Sequence, residues 1–288
     1  MVFTAVNPEV NNVIIEDDLS PSTLSEGEQR GLINNLTRIV LVLEYDGTHY
    51  HGFQLQTNAP TIQGEMEEAL QKLTGEKIRV AAASRTDTGV HAKGQVVSFK
   101  TKSSLPPQTF TSGLNYYLPK DIAVKTAHIA DDSFNVRRSA TSREYNYYIL
   151  NSSTRSPMGE GFACLVSGNL DIEAMNQPCQ LLVGRHDFAS FATCIGGELK
   201  STVRVVHRAE VNQDEELIVF NMEASSFLPH QVRNTVGALL RVGMGKMSID
   251  EFKNVLEAKE PGMAWPTAPA CGLCLMRVNY LHSFWREA

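Results

Sequence analysis

Arg85 and Asp87 stand two residues apart in the polar stretch Ser84-Arg85-Thr86-Asp87-Thr88-Gly89-Val90-His91. A carboxylate beside a cation stays ionised, and in that form it can serve as a nucleophile or a base. The spacing alone leaves two readings open. A solvated loop pair contributes only ~0–1 kcal/mol, whereas a reactive pair needs a rigid frame to aim it. Asp87-Thr88-Gly89 also echoes the aspartic-protease motif. That chemistry shares one proton between two carboxylates, while Arg85 favours the ionised form here. The chain has no second Asp-Thr-Gly or Asp-Ser-Gly, so this reading requires two subunits to pair their loops.

The elements that must position this stretch can be read from periodicity. The apolar run Ile78–Ala83 and the run Gln95–Phe99 have strand character, and Gly89 can take backbone angles closed to other residues. Before them, Arg38–Glu44 is a strand ended by the Asp46-Gly47 turn. Ile62, Met66, Ala69, Leu70 and Leu73 recur at helical spacing, with Thr61 as N-cap and Gly75 past the C-terminus. A helix over Pro107–Tyr117 and a strand over Ile122–Ile129 complete a first unit, 37–133. A second unit, 134–288, has strands at Arg143–Leu150, Thr202–Val211, Leu217–Ala224 and Leu273–Tyr280. Its helices are expected at Asp171–Val183, from Pro229 to about Gly243, and at Ile249–Ala258. Residues 1–36 show no sustained period and are expected to form a mobile acidic tail.

Composition bounds the partners. No apolar run approaches the ~20 residues needed to cross a bilayer, and the first residues lack the basic-then-apolar pattern of a secretion signal. Five scattered cysteines argue for a reducing compartment, hence the cytoplasm. Cys271 and Cys274 form the sole C-x-x-C. A structural zinc needs a second ligand pair, so these two are read as packing residues. Gly243-Met244-Gly245-Lys246 lacks the Ser/Thr and the spacing of a phosphate loop. The net charge of −6 looks wrong for a nucleic-acid binder, but residues 1–36 carry −5 of it. Residues 133–156 hold Arg137, Arg138, Arg143 and Arg155 against Glu144 alone, and such a local patch matters more to phosphates than the global charge.

The longer string Arg85-Thr-Asp87-Thr-Gly-Val-His91-Ala-Lys-Gly-Gln-Val-Val-Ser-Phe99 resembles the hallmark of the TruA-type tRNA pseudouridine synthases. The resemblance runs from about Arg38 to Tyr280. It includes Glu44-Tyr-Asp-Gly47, Gly52-Phe-Gln54, Arg143-Glu-Tyr145-Asn-Tyr147, Gly184-Arg-His-Asp-Phe188, Phe227-Leu-Pro-His-Gln-Val-Arg233-Asn234 and Gly272-Leu273. Ser84 replaces the usual glycine, and Phe53 stands where tryptophan is common. The implied fold is α+β: two β/α domains of similar topology share an extended mixed, mainly antiparallel sheet. Helices lie on one side, with a central RNA-binding cleft.

The resemblance implies isomerisation of uridine at positions 38, 39 and 40 of the tRNA anticodon stem-loop, by a homodimer whose two subunits one tRNA spans. The N-glycosidic bond breaks, the base turns, and carbon rejoins the ribose. Nothing is oxidised, so no cofactor and no metal are expected. Asp87 is the implied nucleophile; attack at the uracil ring and attack at the ribose both remain open. For Arg233, on the helix from Pro229, a solvent-facing reading competes with the implied charge-assisted pair to Asp87. Arg143, Tyr145, Tyr147 and Ile149 share one strand face. Tyrosines so placed are ordinary packing, but the resemblance makes Tyr145 an acid/base and stacking residue, with Tyr147 in support. Arg85 is the implied base-displacing arginine, since a stacked uracil must leave its helix before it can react. Leu273 lines the pocket. Arg137, Arg138, Arg204 and Arg208 are candidate RNA contacts, the last two sharing a strand face. His91 is read as a hydrogen-bonding strut, and His186-Asp187 as structural by resemblance rather than as metal ligands. A catalytically silent RNA-binding module on the same fold is the rival from another class.

Overall fold

The run Thr37–Tyr45 (β1) buries Ile39, Val40, Leu41 and Leu43, residues of both its faces, which suits a strand inside a sheet covered on both sides. The computed structural model describes residues 36–193 and 201–281. After β1 come α1 (Ile62–Thr74), β2 (Ala81–Ala82), β3 (His91–Thr101), α2 (Pro107–Tyr117) and β4 (Ile122–Ala130). Then follow β5 (Ala140–Asn151), β6 (Cys164–Val166), α3 (Ile172–Leu182), β7 (Gly184–Asp187), β8 (Val203–Asp214) and β9 (Leu217–Ala224). The chain closes with α4 (Gln231–Gly243), α5 (Ile249–Ala258) and β10 (Leu273–Tyr280). The tail expected over 1–36 lies outside the described residues except for Leu36. No described helix is long and apolar enough to cross a membrane.

One mixed sheet runs β4-β1-β3-β10-β5-β9-β8-β7, with β2 paired to β3 and β6 to β5. Its pairs are antiparallel except for β10 with β3 and β5 with β6. The last strand therefore lies between β3 and β5 and carries the sheet unbroken from segment 37–133 into segment 134–288. Buried side chains of both segments form one continuous apolar cluster.

Most expected elements are present, with caps where predicted. The Thr61 side chain accepts from the Gly64 amide, and Gly75 takes φ 75° past the end of α1. Three differences bear on the site. The strand expected over Ile78–Ala83 shrinks to Ala81–Ala82, so a longer loop approaches Asp87. The helix expected from Pro229 starts two residues later, with His230 rather than Pro229 at its N-terminal boundary. A bulge at His207 shifts the pairing of β8 with β9, since Val206 faces Ala224 while Arg208 faces Glu223. The bulge places Arg204 and Arg208 on opposite faces of the sheet, contrary to the simple alternation predicted from sequence.

Candidate active site

Asp87 sits on a loop tied down at almost every residue. The amide and carbonyl of Ser84 are clamped by the fully buried Gln95, at 3.3 and 2.7 Å. The Thr86 hydroxyl lies 2.8 Å from the buried Tyr45 hydroxyl, and the Thr86 carbonyl accepts from the Phe53 amide at 3.0 Å. The Val90 amide donates to the Asp87 carbonyl, closing a turn in which Gly89 adopts φ 75°. Gly52, itself at φ 86°, passes so close that a Cβ there would lie 2.7 Å from the Thr86 carbonyl oxygen. Only glycine tolerates both that approach and that backbone. The aim of Asp87 is thus set by backbone bonds from several parts of the first segment.

The loop forms one wall of a cavity of about 790 Å3. The other walls come from Arg137, Arg143 and Tyr145, from Ser226–Arg233, and from Leu273. An Nη of Arg233 lies 3.6 Å from Asp87 Oδ2. This separation makes an ion pair, longer than the charge-assisted hydrogen bond expected from sequence. The Arg233 guanidinium is held from behind by its Nε–H, which donates to the Ala268 carbonyl at 2.8 Å. The Asp87 side chain is 35% exposed and that of Arg233 16%, so the pair faces the open cavity.

Tyr145, on β5, is buried except for its cavity edge. Its hydroxyl lies 2.9 Å from Ser84 Oγ, and its ring meets Phe227 edge-on with centroids 5.1 Å apart. Burial pushes the phenol up to about 12, with a further upward push from the Asp87 charge, against a downward one from the Ser84 hydrogen bond. At neutral pH it is a proton donor. Ser84, the departure from the usual glycine, supplies the partner of this hydroxyl.

The same face of β5 carries Arg143, which is buried without a carboxylate within salt-bridge distance among the described residues. Its Nη groups donate to the carbonyls of Ala83, Arg137 and Ser225 at 3.1, 2.8 and 2.9 Å. These bonds tie together the strand before the Asp87 loop, the turn bearing Arg137, and the segment before Phe227. Burial lowers the Arg143 pKa from its ordinary value. No acid among the described residues pairs with its charge, which lies in the cavity wall.

The other residues singled out by sequence divide clearly. Arg85 and Arg137 are exposed at the cavity wall, near enough that the Arg85 charge adds to burial in lowering the Arg137 pKa. Arg138 is exposed but outside the cavity lining; its amide and that of Arg137 both donate to the Asn135 side chain. Tyr147 does not reach the cavity. It is fully buried and its hydroxyl donates to the Pro269 carbonyl at 2.9 Å. Its supporting role is packing, because the same strand face that opens at Tyr145 is covered two residues on. Arg204 bonds the Ser201 and Val203 carbonyls, away from the cavity. Arg208 is spent on the opposite face, 2.8 Å from Glu144. His91 ties the Gly47 amide to the Gly161 carbonyl, and His186 Nε2 lies 3.0 Å from the Val183 carbonyl; both are struts. Cys274 is buried in β10.

Sequence reasoning assigned no role to His230 or Phe227, although both lie in the quoted Phe227–Asn234 motif. His230 Nε2 is 3.5 Å from Asp87 Oδ2. Its closeness to Asp87 depends on how two distant segments meet, which no local spacing records.

Comparison with known proteins identifies a family and relatives of this chain. A family model described as tRNA pseudouridine synthase matches residues 41–137 and 179–281. Over 245 residues the chain is 40% identical to tRNA pseudouridine synthase A of Thermoanaerobacter sp. (strain X514), covering 85% of this chain and 100% of that one. It is 42% identical over 244 residues to the protein of the same name from Geobacillus kaustophilus (strain HTA426), covering 84% and 94%. Over 242 residues it is 42% identical to that of Geobacter sulfurreducens (strain ATCC 51573 / DSM 12127 / PCA), covering 84% and 99%. Among solved structures, a Cbf5-Nop10-Gar1 complex overlaps 70% of this chain and 45% of its own, at TM-score 0.32 and 13% identity.

Proposed function

The chain belongs to the tRNA pseudouridine synthase family, and from that premise we propose that Asp87 is the nucleophile of a tRNA uridine isomerase. The chain's activity is tRNA pseudouridine synthesis, an isomerisation, and its substrate is tRNA. Within it, Asp87 holds one fragment covalently while the uracil turns. The observation that carries this reading is the Asp87 carboxylate, fixed beside Arg233 in a cavity that also presents the Tyr145 hydroxyl.

The uridine enters everted, since the reacting carbon is inaccessible within a stack. Arg85, exposed at the rim, fills the place the base leaves. Tyr145 and Leu273 sandwich the uracil, and the protonated phenol donates during rearrangement. Arg233 pairs with the Asp87 carboxylate before attack and is free to take up charge as the carboxylate is consumed. Buried Arg143, with no acid beside it among the described residues, adds a positive field at the point where phosphates approach.

The proposed targets are uridines 38, 39 and 40 in the anticodon stem-loop, and the proposed assembly is a homodimer with one tRNA spanning both subunits. Such an assembly joins the Arg85 and Arg137 patches of two chains into one strip for the phosphate backbone. The test is chemical mapping of pseudouridine in an unmodified tRNA transcript, with Asp87→Asn as control. Conversion at 38–40 by the wild type alone is the expected result. A transcript bound but unchanged by the wild type would instead favour the silent RNA-binding module.

A further inference from the structure

Three described residues other than glycine have positive φ: Glu215, His230 and Lys259. Two have local explanations. Glu215 lies in the tight hairpin between β8 and β9, and Lys259 ends α5 as a left-handed cap. His230 has none. It precedes α4, where an extended residue is the rule, yet it sits at φ 59° and its side chain caps no helix amide. A left-handed non-glycine residue at a cavity wall persists only when its surroundings hold it there.

What holds it is a chain of polar groups leading to Asp87. The Asn234 amide group donates to the Phe191 carbonyl at 2.8 Å and lies 3.5 Å from Thr193 Oγ1. Thr267 Oγ1 donates to Asn234 Oδ1 at 2.6 Å, which fixes the orientation of that amide. Thr193 Oγ1 lies 3.0 Å from His230 Nδ1, and His230 Nε2 lies 3.5 Å from Asp87 Oδ2. Donors and acceptors along this chain can all be satisfied together. Asn234 donates from Nδ2, Thr193 accepts there, and its own hydrogen is available to Nδ1, an arrangement in which the Nε2 hydrogen is aimed at the carboxylate.

We propose that His230 is a positioning residue for the reaction: its Nε2–H and the Arg233 guanidinium both engage Asp87 Oδ2, so that Oδ1 is the oxygen presented to the substrate. This rests on Asp87 being the nucleophile. The 3.5 Å contact closes to a hydrogen bond with a few tenths of an ångström of movement, as catalytic contacts do when substrate fills a site. The left-handed backbone is what turns the imidazole toward the loop instead of along the helix.

The test exploits the backbone. His230→Gly removes the ring and leaves φ 59° unstrained, so folding is preserved. Single-turnover conversion of tRNA at saturating enzyme should fall by about 10- to 100-fold, the range for one hydrogen bond to a charged group. Affinity for tRNA should stay within about threefold, and added imidazole should restore part of the rate in this variant alone. Thr193→Val should lose less, and combining it with His230→Gly should cost nothing further, because the two act as one unit. A wild-type rate in His230→Gly, parallel loss of rate and affinity, no rescue by imidazole, or full additivity with Thr193→Val would each overturn the inference. Asp87→Asn, run alongside, separates the two levels. If it still converts tRNA, the nucleophile reading itself fails; if it is dead while His230→Gly is fully active, only the role of His230 is lost.

Discussion

Two arginine clusters lie back to back across β5, one residue apart in sequence, and they differ in how their charge is met. On the cavity face, Arg143 is buried and bonds only main-chain carbonyls. On the opposite face, Glu144 receives Arg277 Nε at 2.6 Å, Arg208 at 2.8 Å and the Asn221 amide at 2.8 Å. The second cluster is closed: every strong donor has an anion, and adding a phosphate would break existing pairs. The first retains a net positive charge that a polyanion can satisfy. Counting arginines on a surface therefore says little about RNA binding until each is asked whether an acid already occupies it.

The contrast yields separable predictions. Tyr145→Phe keeps the ring and removes the cavity hydroxyl, so single-turnover rate should fall by about 100-fold or more with tRNA affinity retained. A wild-type rate would remove the hydroxyl from the chemistry. Arg143→Met leaves buried carbonyls unpaired and loosens three cavity segments. We expect rate to drop by about 10- to 100-fold together with a fall in Tm, since each lost bond to a charged group costs about 1.5–3 kcal/mol before relaxation. Loss of Tm alone would make Arg143 purely structural.

Glu144→Gln should do the reverse, costing about 1–2 kcal/mol by denaturant titration and leaving the rate unchanged. The pH dependence has a definite sign. Burial pushes the Glu144 carboxyl up, but hydrogen bonds from Arg277 and Asn221 and the charges of Arg277 and Arg208 outweigh it, so the net shift is down. A carboxyl depressed in the folded state adds stability above its unfolded value of about 4.3 and loses it as pH falls below that. The difference between wild type and Glu144→Gln should therefore shrink in acid. The smallest expected effect separates the two exposed neighbours: Arg137→Ala should reduce the salt dependence of tRNA binding by about one unit of slope, and Arg138→Ala, outside the cavity, by less.

Much of this was legible without coordinates. α1 was bounded by its caps, Thr61 and Gly75, because capping is a local hydrogen-bonding problem. The face shared by Arg143, Tyr145 and Tyr147 followed from strand alternation, and the pairing of Arg233 with Asp87 followed from resemblance alone. The short strands β6 and β7 were missed, since three or four residues set no period. Arg204 and Arg208 were placed on one face because a bulge at His207 leaves no mark in the alternation itself. Tyr147 is expected beside the site from the resembling motif alone; alternation gives the face of a side chain but not what covers it.

The proposed reacting groups and most element boundaries are legible in the amino acids themselves, since caps, periods and motifs are properties of neighbours along the chain. What covers each side chain is not. That Tyr145 meets a cavity while Tyr147 meets Pro269, that Arg143 bonds main-chain carbonyls while Arg208 pairs with an acid, and that His230 comes within 3.5 Å of Asp87 were all decided by packing between segments distant in sequence. Burial and charge compensation are sums over spatial neighbours, and only the folded chain brings those neighbours together.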